Sequence, residues 1–175
     1  GSNAGGAGDS AGCTGVTWNG TAMTASQNQG TAARHADIFY LVAPAQTTAN
    51  IVLSFAGDGT DFAAIAVYSL QGVDQTNPIN ANNGASATAT DDGATCHLSS
   101  SVTTTVTDTL LITCAGYAQA SVATVSAFEG ISTVTIQNDA EAVGRSTIAT
   151  ATTHAFGWSW NDATPAAASV AGIAI

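Results

Sequence analysis

The residues able to do chemistry in this chain are few and scattered, and each has a structural use as well. Asp58-Gly59-Thr60-Asp61 joins two apolar segments, and Asp91-Asp92 lies in a later polar stretch. Calcium takes several oxygen ligands from carboxylates and carbonyls, so converging acidic loops could hold a Ca2+ ion. The spacing is not that of an EF-hand, and Asp-Gly is first of all a turn signal. Asp58, Asp61, Asp91 and Asp92 are therefore candidate cation ligands, with plain turns as the competing reading. Phe156, Trp158 and Trp160 alternate onto one face of a strand. A flat aromatic row can stack on sugar rings, and the same row is what a sandwich core wants. Phe156 and Trp158 are expected inside. Trp160, at the strand end beside Asn161-Asp162, is the candidate rim contact for a ligand.

The chain has no lysine, so Arg34 and Arg145 are its only fixed cations. Each is expected to satisfy a carboxylate or a backbone carbonyl, with Asp37 the nearby candidate for Arg34; an anion or glycan-carboxylate contact is the second reading. His35, His97 and His154 are scattered, and no Gly-x-Ser-x-Gly pattern accompanies them. Glu129 and Glu141 are the only glutamates, so a glutamate pair for glycoside hydrolysis is nearly absent, although aspartates could substitute. No nucleophile motif, metal cluster or phosphate loop is recognisable, and the chain reads as a non-enzyme.

Cys13, Cys96 and Cys114 form no metal-ligand spacing. Cys96 and Cys114 flank an expected hairpin that turns near Val106-Thr107-Asp108. A cross-strand disulfide and a pair of buried free thiols both fit that arrangement.

The elements that must position these groups are strands. Asn50 to Phe55 reads as half-buried, with Ile51, Leu53 and Phe55 on one face. Asp37 to Val42 and Ala64 to Leu70 carry apolar groups on both faces and read as fully buried strands. Val16-Thr17-Trp18, Asn19-Gly20 and Thr21-Ala22-Met23 form a hairpin signal with a type I′ turn. A polar loop is expected over Asp74 to Asp92. Further strands are expected over Leu98 to Thr104, Thr109 to Ala115, Thr133 to Gln137, Ser146 to Thr152, His154 to Trp160 and Ser169 to Ile175. Tyr117 to Phe128 reads as a short helical turn. About ten strands at this spacing predict an all-β chain, an antiparallel β-sandwich of jelly-roll type. Its expected core contains Ile51, Leu53, Phe55, Leu110, Ile112, Val134, Ile136 and Trp158.

At 175 residues the chain suits one domain. Gly1-Ser2-Asn3-Ala4 reads as a cloning and protease-cleavage scar and residues 5–15 as a Gly-rich lead-in, so the sandwich is expected over 16–175. A formal net charge of -10 without lysine leaves no basic patch for phosphates, which excludes nucleic acid and disfavours anionic membrane surfaces. No apolar run is long enough to span a bilayer. The acidic, Thr/Ser/Ala-rich composition fits an exposed extracellular or virion surface.

Several patterns together resemble one group of proteins: VTWNGTAMT, RHADIFYLVAP, NIVLSFAG, AAIAVYSLQGVDQTNPI, DTLLITCAGY and the terminal FGWSW with SVAGIAI. They are similar to β-sandwich modules of tailed-phage structural and appendage proteins, especially marine ones, and of bacterial extracellular proteins. The likeness spans most of residues 16 to 175, and its most specific element is the Gly72-Val73-Asp74-Gln75-Thr76-Asn77-Pro78 tail after a strand. It implies a non-enzymatic module for attachment or assembly on a virion or cell surface. The expected partners are other virion proteins or a host cell-surface glycan or protein. A secreted bacterial carbohydrate-binding module is the alternative. The insert around Cys96 and His97 departs from such modules. Because Asp37 to Val42 is apolar on both faces, its second face needs a cover. Either the 74–92 loop or another subunit would serve, and the latter predicts a homo-oligomer.

Overall fold

The computed structural model describes residues 2–4, 12–30, 34–55, 62–118, 124–136 and 141–175. Among them there is no helix, and sixteen strands, numbered β1 to β16 along the chain, make four antiparallel sheets. The middle sheet runs β13 (Thr133–Ile136), β14 (Glu141–Ile148), β11 (Thr109–Tyr117), β16 (Ala167–Ala174) and β8 (Ala81–Thr88). On one side of it packs a sheet of β12 (Val125–Glu129), β15 (Thr153–Trp160), β10 (Cys96–Thr103) and β9 (Thr90–Asp91). On the other packs a sheet of β4 (Thr24–Gly30), β5 (Arg34–Tyr40), β1 (Ser2–Ala4) and β7 (Phe62–Ala64). A small sheet of β3 (Thr21–Ala22), β2 (Cys13–Trp18) and β6 (Ile51–Phe55) meets this last layer. The chain is an all-β antiparallel sandwich, as its alternation predicts.

The middle layer explains why some strands are apolar on both faces. In β11, Leu111, Ala115 and Tyr117 enter the core shared with the β15 sheet, while Ile112 and Cys114 enter the core shared with β5. In β16, Val170 and Ala174 face the first core and Ala171 and Ile173 the second. A strand covered on both sides loses the polar alternation of a half-solvated one. Phe156, Trp158 and Trp160 of β15 fill the first core. Two glycines of the middle sheet make room for them. A Cβ on Gly144 would stand 2.9 Å from the Trp158 ring, and one on Gly172 would stand 2.7 Å from Phe156.

Several expectations hold at the level of single residues. The hairpin turn has Asn19 at φ 49° and Gly20 at φ 75°, as a type I′ turn requires, and β2 pairs with β3 across it. Ile51, Leu53 and Phe55 lie half-buried while Val52 and Ser54 are exposed, so β6 alternates as read. Ile112 and Trp158 are buried, and Leu110 and Val134 are partly buried against the two cores. The side chain of Ile136 lies outside the described residues. Within the expected scar, Ser2–Ala4 pairs between β5 and β7, and within the expected lead-in the strand leading to Trp18 already starts at Cys13.

Four expectations are corrected. Leu98–Thr104 and Thr109–Ala115 are not a hairpin. The chain turns near Asp108, at φ 56°, but β10 pairs with β15 and β9 while β11 pairs with β14 and β16 in a different layer. The polar stretch over 81–88 is an edge strand, not a loop. Its backbone completes the β16 ladder, and Asn82 and Asn83 donate to the Ser26 and Ser101 carbonyls of the flanking layers. Ala64 to Leu70 is not a buried strand, because β7 ends at Ala64 and Ile65, Val67 and Leu70 are exposed. Val125–Glu129 is a strand, where a helical turn was expected up to Phe128.

Candidate functional site

Two surfaces stand out, one apolar and one polar with a single aromatic platform. The apolar one is a cavity of about 630 Å3 where β2 and β6 face the second core, walled by Val16, Leu53, Phe55, Tyr68, Ile112 and Ile173. Asp37 of β5 is the one carboxylate among the described residues that line it. Its neighbour positions Ala36 and Ile38 pack on the middle sheet, so Asp37 points the other way, where the Cys13 amide donates to Oδ2 at 3.0 Å. Burial raises the Asp37 pKa, against the lowering effects of that amide and of the His35 charge. At Asp37 the cover over the second face of β5 comes from β2, while Phe39 and Leu41 line the same cavity as Gln75, Pro78 and Ile79. Residues Ile65, Val67 and Leu70 line the cavity and are also 42%, 65% and 38% exposed. They make its outer wall an apolar strip in contact with solvent.

The Gly72-Val73-Asp74-Gln75-Thr76-Asn77-Pro78 tail follows that strip. Gly72 takes φ 76°, and Asp74 Oδ1 accepts the Thr76 and Asn77 amides at 2.7 and 3.2 Å. Those amides hold the Asp74 carboxyl below the usual range. The motif is thus a closed turn whose aspartate caps its own backbone.

The polar surface is the outward face of the β12–β15–β10–β9 sheet. Since Phe156, Trp158 and Trp160 point inward, Gly157 and Ser159 point outward, together with their partners Ser99 and His97 of β10. On β12, Ser126 pairs with Ser159 and Ala127 with Trp158, but Glu129 pairs with Gly157, so Phe128 is an extra residue in a β-bulge. The Phe128 ring stacks on His97 at 4.2 Å and 13°. It remains 45% exposed.

The predicted site residues that lie among the described ones do not converge. Trp160 is no rim contact: it is fully buried and stacks on Tyr117 at 4.8 Å and 14°. The strand runs on to that residue in mid-sheet, paired with Cys96 on one side and Val125 on the other. Arg34 donates from Nε to the Tyr117 carbonyl at 2.6 Å and sits in the field of Glu141, while Asp37 accepts the Cys13 amide on the other face of β5. Burial lowers its pKa, and the buried Glu141 works against that shift. Ser169 Oγ donates to the Arg34 carbonyl, so this cluster ties β5 to the middle sheet. Arg145 is exposed on β14, and its carbonyl accepts both the amide and the hydroxyl of Ser132.

Asp91 Oδ1 accepts the Gly93 amide, and Asp92 accepts the Thr95 amide and hydroxyl, which lowers the Asp92 pKa. Both carboxylates close their own turn. Asp58 and Asp61 lie outside the described residues, and no group of three His, Cys, Asp or Glu able to hold a metal occurs among the described ones. Cys96 and Cys114 are free buried thiols, and no disulfide joins them. Cys96 lies in the core on the β15 side of the middle sheet and Cys114 in the core on its β5 side. The sheet itself separates them, and burial pushes the Cys114 thiol up to about 11. No helix of the described residues is long and apolar enough to cross a membrane.

Phe128 is the residue that sequence reasoning missed. Its signal was a lone aromatic ahead of Glu129-Gly130, in a segment otherwise made of small residues. Comparison with protein-family models, with curated proteins and with solved structures found no match to this chain.

Proposed function

We propose that this chain is a non-enzymatic β-sandwich module of a phage virion or appendage, acting in attachment or assembly. The observation that carries the assembly reading is the exposed apolar strip of Ile65, Val67 and Leu70, with Val52 exposed on the edge strand β6. Exposed apolar strips of this kind mark protein contacts, and an edge strand without charged guards invites pairing. The strip carries no charge, so a chain of net charge -10 can meet a partner there while its carboxylates stay hydrated. The non-enzymatic reading is supported by the use of the buried ionisable groups. Asp37 accepts a β2 amide, and Arg34 and Glu141 join two sheets. The virion or extracellular setting rests on the sequence resemblance, whose Gly72–Pro78 tail is the closed turn described above.

The second reading, a secreted bacterial carbohydrate-binding module, is favoured by one observation, the exposed Phe128 ring on a hydroxyl-lined sheet face. Light scattering tests assembly. A homo-oligomer mass is expected for the native chain, falling to the monomer mass in Val67→Asp. A monomer mass at high concentration in both low and high salt would overturn the assembly reading.

A further inference from the structure

The outward face of the β12–β15–β10–β9 sheet has a composition unlike that of a protein interface. Ser126, Ser101 and Thr103 supply hydroxyls, the Ser99 hydroxyl being buried, and Phe128 is its large exposed apolar group among the described residues. Protein contacts are built on a desolvated apolar centre, which this face lacks. The bulge gives the ring its place. Glu129 faces outward because it pairs with Gly157, and Phe128 faces outward because it stacks on His97, so two consecutive residues share one face. Bulges on edge strands re-aim side chains in this way. Across the sheet, Gly157 stands in register between Glu129 and Ser99, and the Ser99 side chain packs over it.

One face of Phe128 is occupied by His97, and the ring is still 45% exposed, which leaves its other face open. We propose that this open face stacks a neutral pyranose ring, with Glu129 and Ser126 beside it to bond sugar hydroxyls. The apolar C–H face of a pyranose suits an aromatic face, whose quadrupole is negative. A carboxylate is a strong acceptor for O–H donors. The sugar is neutral because the surrounding charges are acidic. Glu129 adjoins the ring, and Asp92 lies near enough to feel the charge of His97. The chain has no lysine, and its two arginines lie on β5 and β14, in other sheets. Sialylated or uronic glycans would meet repulsion there.

This inference rests on the attachment reading and names its ligand class. The test is a printed array of neutral and acidic glycans, probed with the native chain, Phe128→Ala and Phe128→Tyr, each first shown to be folded by circular dichroism. Retention of neutral glycans is expected, weakened on the order of tenfold or more in Phe128→Ala and kept in Phe128→Tyr. Neutral-glycan retention that Phe128→Ala leaves unchanged would overturn this site while leaving attachment standing. Retention of acidic glycans alone, or of no glycan, would overturn the proposal outright. The assembly reading is judged apart from it, by solution mass.

Discussion

Exchanging the roles of two aromatics gives the sharpest test of the fold. Trp160 is fully buried between Cys96 and Val125 and stacks on Tyr117, whereas Phe128 is 45% exposed. A buried tryptophan removes roughly 150–250 Å2 from water. At about 25 cal/mol per Å2 that corresponds to roughly 4–6 kcal/mol. Partial burial in the unfolded chain and the retained Cβ reduce the figure, while the lost stack and the new cavity add to it. Trp160→Ala should therefore cost about 3–5 kcal/mol, a large part of a typical domain's stability. Trp160→Phe should cost about 1–2 kcal/mol, and it keeps the test open should the alanine variant fail to fold. Phe128→Ala should lie within about 0.5–1 kcal/mol of the native chain. Urea unfolding followed by circular dichroism measures all three. A Trp160→Ala loss below about 1 kcal/mol, or one matched by Phe128→Ala, would refute the assignment of core and rim.

Two further outcomes follow from the buried polar groups. None of the three thiols should react with a disulfide reagent in the native chain, and all three should react in denaturant; one reactive thiol in denaturant would mean that two of them are bridged. The native Asp37 holds its proton to a higher pH than the unfolded chain does, because burial raises its pKa. Its stabilising effect is thus complete below the ordinary carboxylate range and is lost as pH rises toward the raised value, by at most about 1.4 kcal/mol per pH unit. Urea midpoints between pH 4 and 7 should therefore fall relative to those of Asp37→Asn, and a flat or opposite difference would contradict the burial of this carboxyl.

Sequence pattern carried the strands where a residue's neighbours were local. Asn19-Gly20 could be read because a type I′ turn demands left-handed backbone at both positions, and Ile51, Leu53 and Phe55 because period two is a property of the strand itself. The failures are choices between layers. Nothing local tells β10 and β11 to enter different sheets, and a five-residue connection suits either outcome. Ala81–Thr88 has the Asn and Gly of a loop, yet the β16 backbone recruits it as an edge. Trp160 looked terminal because Asn161-Asp162 follows it, but pairing on both sides makes it interior. Phe128 was illegible for the opposite reason: a bulge breaks the alternation by which its facing could have been read. The turn aspartates Asp91 and Asp92 were legible as turn formers, and that reading, set beside the cation reading, is the one their hydrogen bonds follow.

Hydrogen–deuterium exchange, compared between a dilute and a concentrated sample, tests most directly whether the apolar strip is a contact surface. Residues 51–55 and 65–70 should gain protection on concentration, while β11 and β16, already internal, should not change. Identical exchange in these two segments at both concentrations would contradict the proposal that this module assembles through them.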